Sequence, residues 1–279
     1  MTVSGTGRAA ASGAQGPLAE RARRIRVAVI RAVSAAGSSH IGSAFSCVDI
    51  LTALYFSVLK VDPQQPRLPE RDRFVMSKAH AGIALYATLA QRGYFAEDLL
   101  DSYYVDGGKL AGHADAHGAL GVEVSAGSLG HGLAIGTGMA LRSQRAGLGW
   151  RTYVLMSDGE CDEGSVWEAA LLAGHLHLGG LTAIIDYNGL QGMGRTDDVV
   201  TLEPLADKWR AFGWTVSEVD GHDFDALVSA LDRRSDRPTV VIARTVKGRG
   251  VSFMENDVLW HYRTPKGEEL ERALTELAG

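Results

Sequence analysis

The sequence contains few of the features that mark disulfide-rich, membrane or nucleic-acid-binding proteins. Only two of its 279 residues are cysteines, Cys47 and Cys161, which lie far apart and form neither a disulfide framework nor a zinc motif. No apolar run approaches the ~20 residues of a membrane-spanning helix. The formal net charge is -5, and the basic cluster at 21–24 is short, so we expect neither a membrane nor nucleic acid as a partner.

The first 17 residues are rich in Gly, Ala, Ser and Thr but lack the continuous apolar core of a signal peptide. We interpret residues 1–17 as a disordered tail and residues 18–279 as a domain of the α/β class. Hydrophobic residues make up 46% of the chain, which allows a sizeable core at this length. These observations predict a soluble, cytoplasmic protein.

Short apolar runs alternate with helical patterns along most of the chain. Strands are predicted at 73–76, 153–156, 181–185, 214–219 and 239–243. This alternation is typical of a doubly wound parallel sheet with helices on both faces. A glycine-rich segment at 107–130 has little periodicity, and a loop of that length in a compact domain is usually functional.

The stretch from Tyr153 to Gly194 is the most informative part of the chain. Two apolar runs joined by one helix predict a βαβ unit, whose parallel strands end at the same edge of the sheet. Asp158 and Asn188 each follow one of these strands. Ligands bind at this edge in open parallel sheets, so we expect a binding site there.

The chemistry of these two turns favours a diphosphate that is bridged to the protein by a metal ion. A carboxylate and an amide oxygen suit Mg²⁺ or Ca²⁺, and Mg²⁺ usually completes its coordination with phosphate oxygens and water. Gly159 has no Cβ, so a phosphate can approach its N–H at the start of the following helix. As an alternative, Asp158-Gly159 and Asn188-Gly189 are common turn-forming pairs and could bind nothing.

Four histidines occupy predicted loops or the ends of predicted strands. A single loop histidine is most often solvated or hydrogen-bonded, but four along one α/β domain could converge on a single pocket. These are His40, His80, His113 and His261. We assign no function to the other five, and His175 and His177 do not share a helix face, so they are not a metal pair.

Several of these segments together resemble the transketolase family. Ser157-Asp158-Gly159 with Asn188 is similar to the thiamine-diphosphate motif, Gly-Asp-Gly followed by Asn about thirty residues later. Longer segments that look like transketolase are Asp72–His80, Gly121–Gly130, Val166–Ala170, Pro204–Trp209 and Thr245–Gly248. The resemblance runs from about Leu18 to Pro265 and is closest to the N-terminal subunit of the split, two-chain bacterial enzymes.

The resemblance implies a domain that holds the diphosphate of thiamine diphosphate through Mg²⁺, with Ca²⁺ as a possible substitute. The metal ligands would be Asp158, the side chain of Asn188 and the backbone carbonyl of Leu190. The cofactor would be contacted by His80, Gly127, Ser128, Leu129, Gly159 and His261. Three histidines would line the substrate channel and handle the hydroxyl protons of the ketose, work that suits groups titrating near neutrality: His40, His113 and His261.

The family also implies a partner. Glu163 matches a carboxylate that meets the partner's cofactor-activating glutamate, which lies on the pyrimidine-binding domain. This chain has no room for that domain, so we expect a second subunit with the pyrimidine-binding and C-terminal domains, assembled as a heterotetramer. The chain alone is then expected to be inactive.

The expected reaction is the transfer of a two-carbon ketol (glycolaldehyde) unit from a ketose phosphate to an aldose phosphate or a different acceptor. Several positions depart from the family pattern on the substrate side, which leaves the acceptor and the donor open: Ala79, Ala114, His131, Ser157 and Tyr262-Arg263.

Two alternatives to this reaction stay open. An alpha subunit of a 2-oxo acid dehydrogenase also holds the diphosphate half of a thiamine site, but the four histidines favour transketolase. A non-catalytic partner subunit is disfavoured by the intact Asp158 and Asn188.

Overall fold

A computed structural model describes residues 15–279, in which five strands form one parallel sheet. The strands are β1 (Arg73–Met76), β2 (Thr152–Ser157), β3 (Leu181–Tyr187), β4 (Thr215–Asp220) and β5 (Thr239–Arg244). Their order is β1-β2-β3-β5-β4, and all four neighbouring pairs are parallel. All five strands coincide with the predicted apolar runs to within one or two residues.

The α-helices of the described residues cover both faces of this sheet. They are α1 (Gln15–Ala36), α2 (Ile41–Ser46), α3 (Val48–Ala53), α4 (Gly82–Arg92), α5 (His131–Ala146), α6 (Gly164–His175), α7 (Thr196–Val199), α8 (Leu205–Ala211), α9 (Phe224–Asp232) and α10 (Glu268–Ala278). Within residues 15–279, none of the helices has the length and apolar character needed to cross a bilayer.

Alternate side chains of β2 belong to two separate hydrophobic cores. Tyr153 and Leu155 pack in the core that contains residues of α1, α4 and α9. Val154 and Met156 pack in the core that contains residues of α5, α6 and α8. Successive strand residues point to opposite faces, so a strand buried on both sides must be apolar throughout. The predicted doubly wound α/β fold is confirmed.

The structure differs from the sequence-based expectation at the start of the chain. Helix α1 begins at Gln15, so residues 15–17, which the composition assigns to a disordered tail, form its first turn. The remainder of that predicted tail, residues 1–14, lies outside the described residues.

A second difference concerns the segment after α1. The sequence predicts a polar loop at 38–42, whereas α2 begins at Ile41. A helix predicted at 49–59 is present as α3, which a π-helical turn continues over Leu54–Val58. All six residues of α2 are buried. The N–H of His40, which precedes this helix, donates to the carbonyl of His261 (2.9 Å). Tertiary contacts here outweigh the weak helix propensity of glycine and serine.

Close packing of α5 on the sheet depends on its glycines. Gly136 is buried against β2, and a Cβ added there would lie 2.3 Å from Cγ2 of Val154. Gly138 faces outward in the same helix, with nothing within 4 Å of an added Cβ. Helix α5 therefore has no space for a side chain at Gly136, whereas it has space for a small side chain at Gly138.

Gly136→Ala should destabilise the protein by about 1–3 kcal/mol, because the added methyl group overpacks the interface between α5 and β2. Gly138→Ala is the matched control and should gain about 0.5–1 kcal/mol from the higher helix propensity of alanine. Urea unfolding followed by far-UV circular dichroism measures both changes. Equal stability of the two variants would contradict this packing.

Candidate active site

A cavity of about 290 Å³ opens at the carboxyl ends of β2 and β3, the edge where ligands bind in open parallel sheets. All the predicted site residues except Ser128 and Glu163 line it. The full lining is His40, Ser43, His80, His113, Gly127, Leu129, Ser157, Asp158, Gly159, Asn188, Leu190, Gln191, Gly192 and His261.

The register of the sheet brings the two central turns together. Ser157 of β2 lies opposite Asp186 of β3, so the residues that follow them leave the sheet side by side. The carboxylate of Asp158 then accepts hydrogen bonds from the N–H of Gly159 (2.8 Å) and from the N–H of Gly189 (2.7 Å). The two turns therefore contact each other directly, as the βαβ prediction requires.

Three residues with oxygen donors suited to a hard cation line this cavity, namely Asp158, Asn188 and Leu190. The Asn188 side-chain oxygen accepts from the N–H of Leu190 (3.1 Å), which orients the amide within the turn. The Leu190 carbonyl accepts from Nζ of Lys247 (3.0 Å). Across residues 15–279 no three His, Cys, Asp or Glu side chains are grouped to hold a metal by themselves. The donor set therefore fits an ion that draws its remaining ligands from phosphate and water.

Burial, together with the charge of Asp186, raises the pKa of Asp158 to about 6. The backbone N–H groups of Gly159 and Gly189 oppose this shift by stabilising the carboxylate. A divalent cation beside the group would favour the ionised form further. Asp158 is thus a buried carboxylate beside a second acidic group, a setting that a bound cation would stabilise.

Beneath the cavity, Lys78 and Asp186 form an ion pair with both side chains fully buried. The Asp186 carboxylate also accepts from Oγ of Ser46 (2.6 Å) and from Oγ1 of Thr245. Lys78 Nζ donates to the carbonyl of Ser43 (3.0 Å). Burial alone would lower the pKa of Lys78, but the negative charge of Asp186, its hydrogen bond and the other nearby acidic groups together raise that pKa.

The four predicted loop histidines lie in this one cavity. The ring centroid of His40 is 4.9 Å from that of His261, 5.3 Å from that of His80 and 6.1 Å from that of His113. His40 has a left-handed backbone (φ 69°), which directs the chain from α1 into α2. Convergence of the four side chains, which the sequence left as one of two interpretations, is confirmed.

The ionisation of these histidines differs from the sequence-based expectation. Burial, followed by the positive charges around it, lowers the pKa of His40 to about 4 and that of His261 to about 3. Burial and the charge of Lys78 also lower the pKa of His80 well below its usual range. The expectation of titration near neutrality is therefore wrong for His40 and His261, and these imidazoles are neutral at pH 7.

The tautomer of His261 follows from its neighbour. Nζ of Lys247 lies 3.2 Å from Nδ1 of His261, and a lysine ammonium only donates hydrogen bonds. Nδ1 must therefore be the acceptor nitrogen of the neutral ring, which leaves the proton on Nε2. His261 consequently acts as a hydrogen-bond donor through Nε2.

The glycine-rich loop that supplies Gly127 and Leu129 is held by a buried carboxylate, Glu160. This carboxylate accepts from the N–H of Gly130 (2.9 Å) and from Oγ of Ser77. Ser128 is exposed between its two lining neighbours. Sequence reasoning missed Glu160, although its position two residues after Asp158 in the same turn was a usable signal.

Glu163 lies outside the cavity and is exposed to solvent. Its Cβ lies beside the glycine loop, 2.7 Å from where a Cβ on Gly130 would be. Its assigned contact with another chain stays a prediction.

Sequence reasoning also missed part of the cavity rim. Nε2 of Gln191 donates to the Asp162 carboxylate (2.8 Å), and the Gln191 side chain lies directly over Gly159. Oη of Tyr262 donates to the carbonyl of Gly192 (3.0 Å). Tyr262, noted in the sequence only as a departure from the family pattern, thus joins two loops at the rim.

Comparison with known proteins places the chain and its fold in one family. The family model described as transketolase, thiamine diphosphate binding domain, matches residues 19–277. The chain is 42% identical over 263 residues to the 6-deoxy-6-sulfo-D-fructose transketolase subunit of Clostridium sp. (strain MSTE9), with 93% of this chain and 96% of that protein covered. It is 44% identical over 259 residues to an apulose-4-phosphate transketolase subunit of Actinobacillus succinogenes, with 92% and 94% covered.

Longer relatives match over the same region. Human transketolase is 37% identical over 264 residues, which cover 93% of this chain and 42% of the human protein. The transketolase structure from Campylobacter jejuni has a TM-score of 0.88 at 28% identity, covering 94% of this chain and 42% of that one. The chain thus spans less than half the length of these proteins. The resemblance read from the sequence is confirmed, and this chain belongs to the transketolase family as a thiamine-diphosphate-binding domain.

Proposed function

We propose that this chain is the N-terminal subunit of a two-component transketolase that transfers a two-carbon ketol unit from a ketose phosphate to an acceptor. One observation carries the proposal: Asp158, Asn188 and Leu190, which offer oxygen donors, line the same cavity as four histidines. The first group suits a metal-bound diphosphate, and the second suits a polyhydroxylated substrate.

The cofactor of this proposal is thiamine diphosphate with Mg²⁺. Asp158, the Asn188 side chain and the Leu190 carbonyl would hold the metal ion, and Gly159, His80 and His261 would contact the diphosphate. Gly127, Ser128 and Leu129 would lie along the cofactor. Bound thiamine diphosphate supplies a carbon nucleophile for cleaving and forming bonds next to a carbonyl group.

The substrate side is assigned to the remaining imidazoles. His40 and His113 would accept and return hydroxyl protons of the ketose, and the Nε2–H of His261 would donate a hydrogen bond to a substrate oxygen. Neutral imidazoles suit this task because each offers one acceptor nitrogen and one N–H. The low pKa of His40 shows that burial favours the neutral form, and an anionic substrate would shift that pKa upward.

A partner subunit is part of the same proposal. Three relatives that match over more than 90% of their length are named as transketolase subunits, and this chain spans 42% of human transketolase. The partner would carry the pyrimidine-binding and C-terminal domains, and Glu163 would meet its activating glutamate. We propose a heterotetramer with paired sites.

The purified chain alone should therefore show no ketose-cleaving activity, and addition of a second subunit with a pyrimidine-binding domain should restore it. Transfer from a ketose phosphate to aldose phosphates is measured in a coupled assay, with other acceptors tested in parallel. Full activity of the isolated chain would contradict the proposal. Release of CO₂ from pyruvate by the pair, without ketose cleavage, would instead assign a 2-oxo acid dehydrogenase.

Asp158→Asn should weaken Mg²⁺-dependent binding of thiamine diphosphate to the assembled pair by at least about 100-fold, because a metal ligand contributes more than the residues that only orient ligands. Titration calorimetry measures the change. Asp162→Asn is the matched control, since this exposed carboxylate contacts Gln191 and is not one of the three donors. Wild-type affinity in Asp158→Asn would remove the proposed metal site.

His113→Ala should lower kcat/KM for the ketose by about 10²–10⁴-fold, the usual contribution of general acid–base catalysis, and leave cofactor affinity unchanged. Steady-state kinetics and cofactor titration of the reconstituted pair separate the two effects. His117→Ala, in the same loop but outside the cavity, is the control. An unchanged kcat/KM would show that His113 has no part in proton transfer.

A further inference from the structure

A fully buried tyrosine of α4, Tyr86, holds the glycine-rich loop through its hydroxyl group. Oη of Tyr86 donates to the carbonyl of His113 (2.7 Å) and accepts from the N–H of Asp115 (2.9 Å). Burial raises the pKa of Tyr86 to about 12, so the hydroxyl keeps its proton near neutral pH and can donate and accept at once. The two peptide groups that flank Ala114 are therefore bound to one side chain.

The imidazole of His113 has no such anchor of its own. His113 is exposed, and within residues 15–279 its ring takes part in no hydrogen bond. The ring of His40 is 6.1 Å away, centroid to centroid. No helix or strand of the described residues lies between Ser102 and His131, so local secondary structure does not fix this backbone either. The place of the imidazole in the cavity therefore depends on contacts between the loop backbone and other elements.

Helix α4 fixes this backbone relative to His80 as well. His80 lies in the 3₁₀ turn that leads into α4, which begins at Gly82. The N–H of Ala114 donates to the carbonyl of Ala79 in that turn (3.2 Å), and a Cβ added at Gly82 would lie 2.6 Å from the backbone nitrogen of Ala114. One short stretch of chain thus sets the separation between two of the cavity histidines, His80 and His113.

We propose that Tyr86 is a positioning residue for His113, which holds the backbone on the C-terminal side of the histidine and so sets the reach of its imidazole. The inference rests on the proposed function, which assigns hydroxyl protons of the ketose to His113. Tyr86 does not line the cavity, so it acts through the loop. A misplacement of about 1 Å in a reacting group can lower a rate by about 100-fold, and removal of this one hydroxyl frees both backbone groups at once.

The test compares Tyr86→Phe with Tyr153→Phe in the reconstituted pair. Tyr86→Phe keeps the ring and its packing but removes both hydrogen bonds. It should lower kcat for ketose cleavage by about 10- to 100-fold, while KM and the affinity for thiamine diphosphate with Mg²⁺ change by less than about 2-fold. Tyr153 is the matched control, because its buried hydroxyl donates to the carbonyl of Leu231 (3.4 Å) near the start of β2, away from the cavity. Tyr153→Phe should retain the wild-type kcat.

A double-mutant cycle with His113→Ala shows whether Tyr86 acts through the histidine. If it does, Tyr86→Phe should change kcat/KM by less than about 2-fold once residue 113 is alanine. Independent, multiplicative losses would overturn the inference, as would a wild-type kcat in Tyr86→Phe, and either result would leave the proposed function standing. A melting temperature far below that of Tyr153→Phe, with cofactor binding and activity lost together, would also overturn it by showing a purely structural role. Absence of ketose cleavage by the wild-type pair would overturn the proposed function, and this inference with it.

Discussion

The buried ion pair between Lys78 and Asp186 is the interaction on which the rest of the site depends. Lys78 follows β1, and Asp186 lies near the end of β3. Asp186 also accepts hydrogen bonds from Ser46 in α2 and from Thr245 after β5. Removal of one partner of such a pair leaves an uncompensated charge in the interior. Three strand ends and one helix are therefore coupled beneath a single cavity, and they cannot move apart independently.

Above this pair, burial sets the chemical character of the cavity. His40 and His261 are neutral because desolvation and the nearby ammonium groups disfavour a further positive charge. The pKa of Asp158 is raised because burial and the nearby charge of Asp186 disfavour its ionised form. A cavity lined by neutral imidazoles can accept an anion together with a metal ion, whereas a strongly positive cavity would repel the metal.

Much of this site could be predicted from local sequence patterns. Strands β2 and β3 are buried on both faces, so continuous apolar runs in the sequence predict their positions. Parallel pairing of these strands then places Asp158 and Asn188 at the same edge of the sheet. Helix α2 was missed because its Gly-Ser composition disfavours a helix and its contacts come from residues far along the chain. Glu160 was missed for a related reason, because it acts through hydrogen bonds from Ser77 and Gly130, which lie far from it in the sequence.

The sequence by itself determined the βαβ unit, the edge at which its turns meet and the family to which the chain belongs. These follow from periodicity and motifs, which are properties of neighbouring residues. Only the tertiary structure decided which charges are paired, because Lys78 and its partner Asp186 are separated by 108 positions. It also decided that His261 is neutral and that Glu163 lies outside the cavity. Burial and charge pairing depend on distances between remote segments, and no local pattern encodes them.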